Sequence, residues 1–153
     1  NPNTSRLDIF EIPTRPDLHG AFDFALCWGV VMCTHNPKLA FENVASTVKP
    51  GGSLYVMVYA PTYHASDEVR EMRRRFHREC QTIDQKMKFV ADVAEDINNA
   101  INYMDMLNTF YNWTIPEDVV HQWFKSAGFD DIVTLNKAEP YNGAWHVLGR
   151  KAA

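Results

Sequence analysis

The sequence predicts an α/β fold built on an open sheet, and three stretches carry that prediction. Phe22 to Met32 (FDFALCWGVVM) is almost continuously apolar, the pattern of a parallel strand buried on both faces. Asn36-Pro37 opens a helix, because proline is favoured in a first turn where its missing N–H is not needed. Leu39, Ala40, Val44 and Val48 then recur at helical spacing and give that helix one buried face. Lys49-Pro50-Gly51-Gly52 ends it, and Ser53 to Tyr59 supplies a second β-rich run. A helix between two apolar strands reads as a βαβ crossover joining parallel neighbours.

The remaining elements follow from local patterns. Residues 1 to 21 are polar and proline-punctuated, except for Leu7 to Ile12, which reads as a short strand ended by Pro13. Pro16, Asp17 and Gly20 make a turn-rich approach to Phe22. After Pro61, Ser66 or Asp67 caps a helix running to about Cys80, with Val69, Met72, Phe76 and Cys80 along one stripe. Its other face carries Arg70, Arg73, Arg74, Arg75 and Arg78, read either as a solvated face or as a site for an anionic substrate or partner. A second helix is expected from about Thr82 to Met104. Its seam of Ile83, Met87, Val90, Ala94, Ile97, Ile101 and Met104 packs on the preceding helix or on a second copy of the chain. Residues 105 to 114 lack periodicity. Thr114, Pro116 and Glu117 set up another helix, with Thr114 as N-cap, which buries Val119, Val120, Trp123 and Phe124 and stops at Gly128. Phe129 to Leu135 and Trp145 to Leu148 pair most simply as an antiparallel hairpin at the sheet edge, around a turn at Pro140-Tyr141-Asn142-Gly143.

Composition narrows the class. A chain of 153 residues fits one domain, and 46% hydrophobic with 12% aromatic residues argues for a packed core. A net charge of −4 gives no electrostatic footprint for nucleic acid. No apolar run approaches the roughly 20 residues of a membrane span, so no membrane association is expected. Cys27, Cys33 and Cys80 show no metal-ligand spacing; Cys27 reads as a small core hydrophobe, and the odd count points to reduced thiols and a cytoplasmic location.

Three segments carry a more specific likeness. Asp8-Ile9-Phe10-Glu11-Ile12-Pro13, FDFALCWGVVMCTHNP and AFENVASTVKPGGSLYVMVY follow one another in fixed order, and WTIPEDVVHQWFKSAGFDDI comes later. This succession resembles the carboxyl-terminal part of a class I S-adenosylmethionine-dependent methyltransferase. The resemblance implies a truncated Rossmann-like methyltransferase sheet: parallel strands, a C-terminal antiparallel hairpin and a helical insertion. Residues 1–153 would form a single partial domain, with 62–113 as the inserted substrate lid. The family's glycine-rich loop, and the acidic residue that holds the cofactor's ribose, have no counterpart in these residues.

By position, the resemblance implies cofactor-binding roles for four residues. Asp8 would accept from the adenine amino group and Ile9 would pack on the ring, while Trp28 and Gly29 would border the methionine part. His35 is the candidate catalytic base, two residues beyond Met32-Cys33, where the family carries a histidine pair; capping or solvation beside the helix start is its other reading. Tyr63, His64, Tyr111 and Trp113, with Tyr103 and Asn108, are candidates to line the acceptor site or simply to pack the insertion. The implied cofactor is S-adenosylmethionine, and the implied partner a small-molecule acceptor. The implied reaction is methyl transfer, completed by residues upstream of Asn1. The alternatives are a non-catalytic half-fold that forms a homodimer, through the Phe22 strand edge or the 83-to-104 seam, and an anion-binding module built on the arginine run.

Overall fold

The computed structural model describes residues 4–62, 66–136 and 143–153. It divides into two compact units, Asn1–Tyr63 with Trp113–Ala153, and His64–Asn112.

In the first unit the βαβ element forms as β1 (Phe22–Trp28), α1 (Pro37–Ser46) and β2 (Val48–Tyr59). β1 and β2 pair in parallel, with Ala25 opposite Leu54 and Cys27 opposite Val56. Asn36 caps α1 by accepting from the Leu39 N–H at 3.1 Å, and Pro37 takes the first helical position. The expected stop at Lys49-Pro50-Gly51-Gly52 instead lies inside β2, because Thr47 already ends the helix and Val48 pairs with Phe22. Leu39 is exposed; the buried face of α1 is Ala40, Phe41, Asn43 and Ala45.

α5 (Glu117–Ser126), β3 (Phe129–Thr134) and β4 (Ala144–Lys151) complete this unit. The sheet order is β1-β2-β4-β3, so the expected hairpin forms, but β4 lies inside the sheet and only β3 is at its edge. The turn expected at 140–143 falls mostly outside the described residues. Thr114 does not cap α5; Pro116 occupies the cap without a side-chain hydrogen bond. The Leu7–Ile12 patch is not a strand. Asp8 accepts from the Phe10 N–H while Glu11 reaches back to the Asp8 N–H, and this capping box winds Ile9–Thr14 into a 3-10 helix.

The core lies on one side of the sheet. Cys27, Leu54, Val56, Val58 and Val147 meet Phe41 of α1 and Val120 and Phe124 of α5. Gly149 makes this fit possible: a Cβ there would come within 2.5 Å of Phe124 Cδ1. On the opposite side the β1 side chains are exposed among the described residues, which overturns the two-sided burial expected for Phe22 to Met32. Phe24 is 55% exposed, Leu26 62% and Trp28 55%. The pairing extends their rows across the sheet, as Leu26–Tyr55–Leu148–Val133 and Trp28–Met57–His146.

The second unit holds α2 (Asp67–Glu79), α3 (Ile83–Val93) and α4 (Ile97–Asn108) around Phe76, Cys80, Val90 and Leu107. The single helix expected over 82–104 is broken at Ala94, and Asp96 recaps the chain by accepting from the Asn99 N–H at 2.8 Å. α4 then runs through Asn108, into the stretch expected to be irregular. Along the seam, Val90 is buried whereas Ile83, Met87, Ile97 and Ile101 are exposed. The arginine face is largely neutralised. Arg70 pairs with Asp67, Arg74 with Glu71, and Arg75 and Arg78 with Glu79, while Arg73 donates to the Met106 and Thr109 carbonyls at the end of α4. The interleaved carboxylates weaken the anion-site reading.

Gly149→Ala must push Phe124 out of the seam between α5 and the sheet. It should destabilise the chain by about 1–3 kcal/mol, the usual cost of overpacking, read as a lower urea midpoint. An unchanged midpoint would mean that the Phe124 ring has room to move.

Candidate functional site

The chain leaves β1 at Trp28 and turns through Gly29. Its φ of +70° is open to glycine at little cost, and its N–H donates to the Met57 carbonyl at 3.3 Å. A short 3-10 turn, Val31–Cys33, follows, with Val31 and Met32 fully buried, so the backbone from Gly29 to Asn36 is anchored from below. His35 is exposed at its far side, and its ring lies 4.3 Å from the Phe10 ring.

Phe10 belongs to the segment that Asp8 caps. The buried Asn43 amide of α1 donates to the Ile9 carbonyl at 3.0 Å, so Asp8 and Ile9 are fixed to α1 from one side and, through Phe10, to the β1–α1 turn from the other. Two of the four residues matched to cofactor binding are thus tied to the turn that follows the other two. The Asp8 carboxylate is exposed while one of its oxygens caps the helix.

Trp113 meets the same turn. Its N–H donates to the Met32 carbonyl at 3.0 Å and its indole Nε1 to the Thr34 carbonyl at 3.1 Å, 79 residues away in sequence. Two residues on, the Ile115 N–H donates to the Tyr59 carbonyl at the end of β2, at 2.8 Å. The other lining candidates behave differently. Tyr111 lies in the second unit with its ring edge-on to Phe110, Tyr103 packs on that unit's core, and Asn108 accepts from Lys86 Nζ at 2.8 Å. Tyr63 and His64 lie outside the described residues.

The sheet adds side chains that the sequence reading left unassigned. Trp28 stacks on Tyr55 at 5.9 Å with 14° between the rings, and meets His146 edge-on at 5.0 Å. Tyr55 and His146 share a hydrogen bond of 2.5 Å between Oη and Nδ1. The signal was present in SLYVMVY, where Ser53, Tyr55, Met57 and Tyr59 alternate with the buried Leu54, Val56 and Val58. Nothing local pairs Tyr55 with His146.

These residues fit part of a nucleoside sulfonium cofactor. Asp8 can accept from an amino group, Ile9 offers an apolar neighbour, and Trp28, stacked on Tyr55, offers its remaining exposed aromatic surface. At Gly29 the missing side chain leaves backbone accessible at the strand end.

The family model described as a methyltransferase domain matches residues 1–134. The fold is similar to that of a possible exported protein from Bordetella parapertussis, at 15% identity and a TM-score of 0.57, covering 97% of this chain and 43% of that one. An O-methyltransferase family protein from Burkholderia thailandensis gives 14%, 0.56, 97% and 35% in the same order. The S-adenosylmethionine-dependent methyltransferase SibL in its apo form gives 17%, 0.53, 98% and 36%. The chain therefore spans less than half the length of each. No curated protein sequence matches.

Burial holds the His146 pKa below the ordinary imidazole value and raises that of Tyr55. A histidine whose folded pKa lies below its unfolded one binds fewer protons folded than unfolded, so its contribution to stability is full above about pH 6.5 and is lost on acidification. His77 of the second unit shifts the same way, through burial and then Arg73 and Lys86. The urea midpoint should fall between about pH 7.5 and 5.5, and His146→Gln should fall less. Equal losses in the two proteins would remove His146 from the pH dependence.

Proposed function

The chain belongs to the methyltransferase family, and from that membership we propose that it transfers a methyl group from S-adenosylmethionine to a small-molecule acceptor, with the C-terminal end of β1 as one wall of the cofactor cleft. The observation that carries this reading is the tie between the Asp8 segment and the β1–α1 turn, through Asn43 and the Phe10–His35 ring contact. It joins an adenine-type acceptor to the strand end at Trp28 and Gly29, the end at which open α/β sheets bind ligands.

When bound, the cofactor supplies an electrophilic methyl group on a sulfonium. Asp8 accepts from the adenine amino group, Ile9 packs on the ring, and Trp28 and Gly29 border the positively charged end. Holding the acceptor in line supplies much of the rate when its nucleophile is already acidic, so no strong base is required of the chain. His35, with its ring on Phe10, serves the site chiefly by holding the Asp8 segment to the turn.

A second reading rests on β1 itself. Among the described residues it pairs only with β2, and it exposes an aromatic and aliphatic row. Such an edge is a template for a second copy, giving a non-catalytic half-fold that dimerises.

Calorimetric titration with S-adenosylhomocysteine should give a Kd below ~100 μM, equivalent to about −5.5 kcal/mol, and Asp8→Ala should weaken it at least about tenfold. No heat at millimolar ligand would show that this wall alone does not hold the cofactor. Sedimentation separates the second reading: a monomer at high micromolar concentration counts against it.

A further inference from the structure

We propose that the groove between the starts of α1 and α5 is a binding site for a planar aromatic carboxylate. Its role as the seat of the methyl acceptor rests on the methyl-transfer reading; the binding itself does not. The groove has a volume of about 300 Å³ and lies wholly within the first unit. That volume is at the lower end of small-molecule sites, enough for one or two fused rings and too little for a large ligand.

Its lining is mostly apolar: Trp113 and Trp123 bring indole rings, Pro37 and Pro116 pyrrolidine rings, and Ile115 and Val119 aliphatic surface. Flat π surfaces gain most from a planar ring, which can stack or meet them edge-on, whereas a puckered ring of equal size loses part of that contact.

The walls are also built before any ligand arrives. Trp113 is pinned by its two hydrogen bonds to the β1–α1 turn, Ile115 by its bond to Tyr59, and Trp123 by its contact with Phe41 at 5.7 Å. Trp113 nevertheless stays 49% exposed, with its N–H already satisfied inward. An indole held rigidly with its surface at solvent offers binding area without the entropy cost of ordering it.

Charge decides the polar end of the ligand. Among the described residues, the one charged side chain lining the groove is Lys38, which pairs with Glu42 one turn further along α1 and is 54% exposed there. An exposed pair of this kind is held by little energy, so Lys38 can turn to a ligand carboxylate. Two indoles alone would also suit a quaternary ammonium; the lysine among them disfavours a cation. The groove adjoins Asn36, next to His35 on the turn that leaves Trp28 and Gly29. The groove and the end of β1 are thus joined by one short stretch of chain, Gly29 to Asn36.

Tryptophan fluorescence titration with 2-naphthoate tests this, with cyclohexanecarboxylate, 2-naphthalenemethanol and a 2-naphthyl trimethylammonium salt as controls. Saturable quenching by 2-naphthoate is expected with a Kd below about 1 mM. The saturated acid and the cation should each bind at least about tenfold more weakly. Trp113→Leu should weaken naphthoate at least about tenfold. Lys38→Gln, a surface change that leaves the walls intact, should weaken naphthoate about fivefold or more and leave the neutral alcohol unchanged. Absence of saturation at several millimolar overturns the proposal, and so does a Lys38→Gln protein that binds acid and alcohol as before. Tighter binding of the cation than of the acid overturns the ligand class. S-adenosylhomocysteine titrated into the same samples keeps the two readings apart: cofactor binding without naphthoate binding removes only the groove, and the converse removes only the cofactor site.

Discussion

Everything in the first unit depends on one-sided burial of its sheet against α1 and α5. Leu54, Val56 and Val58 of β2 form a row that Phe41 and Phe124 close from above, and all five are almost fully buried. Burial of that size contributes on the order of 2 kcal/mol for each side chain, and no polar contact here approaches the sum. β2 is central because it pairs with β1 on one side and β4 on the other. Gly149 stands directly opposite Leu54 in that pairing, so the sheet is thinnest where Phe124 enters. The close approach explains why α5 can lie flat on a strand that belongs to a hairpin formed after it in sequence.

From that core the functional end follows mechanically. α1 is fixed by Phe41, and its buried Asn43 reaches the Ile9 carbonyl. Val31 and Met32 are fixed by the same core, and their turn offers the Met32 and Thr34 carbonyls to Trp113. The residues Asp8, His35 and Trp113 are therefore held through backbone that this core anchors. Side chains placed in this way keep their geometry without ligand, as a site that must orient a reaction requires.

The sequence was most legible where local pattern and tertiary burial agree. Asn36-Pro37 capped its helix as read, Ser66 did the same for α2, and the run ending at Tyr59 is a strand. The pattern misled where two local signals competed. Leu7 to Ile12 has enough apolar residues for a strand, yet Asp8 and Glu11 close a capping box, and this satisfies the backbone without a sheet partner. The seam from Ile83 to Met104 is continuous in sequence, but Asp96 prefers a new cap to a helical interior and splits it. Phe24, Leu26 and Trp28 read as buried because their side chains are apolar; no local rule distinguishes an apolar face that is covered from one that is bare. The site was legible only as single residues. The bonds that assemble it, Asn43 to Ile9, Trp113 to Thr34 and Tyr55 to His146, span 34, 79 and 91 residues, beyond any periodicity.

The two faces of the sheet differ in what they leave open to further structure. On the covered face Cys27, Leu54, Val56, Val58 and Val147 are already buried with Phe41, Val120 and Phe124 of the two helices. On the bare face Leu26, Trp28, Val133 and Leu135 remain open around Tyr55 and His146, which already satisfy each other. A polar pair joined in this way has one of its two donors satisfied internally, so an apolar covering surface must still offer one acceptor to the other, and the desolvation cost of burying tyrosine and histidine is only partly met in advance. The lowered pKa of His146 acts in the same direction, because a neutral imidazole is far cheaper to enclose than a cation. The exposed apolar row of this face thus favours a covering layer that brings one hydrogen-bond acceptor to the Tyr55–His146 pair.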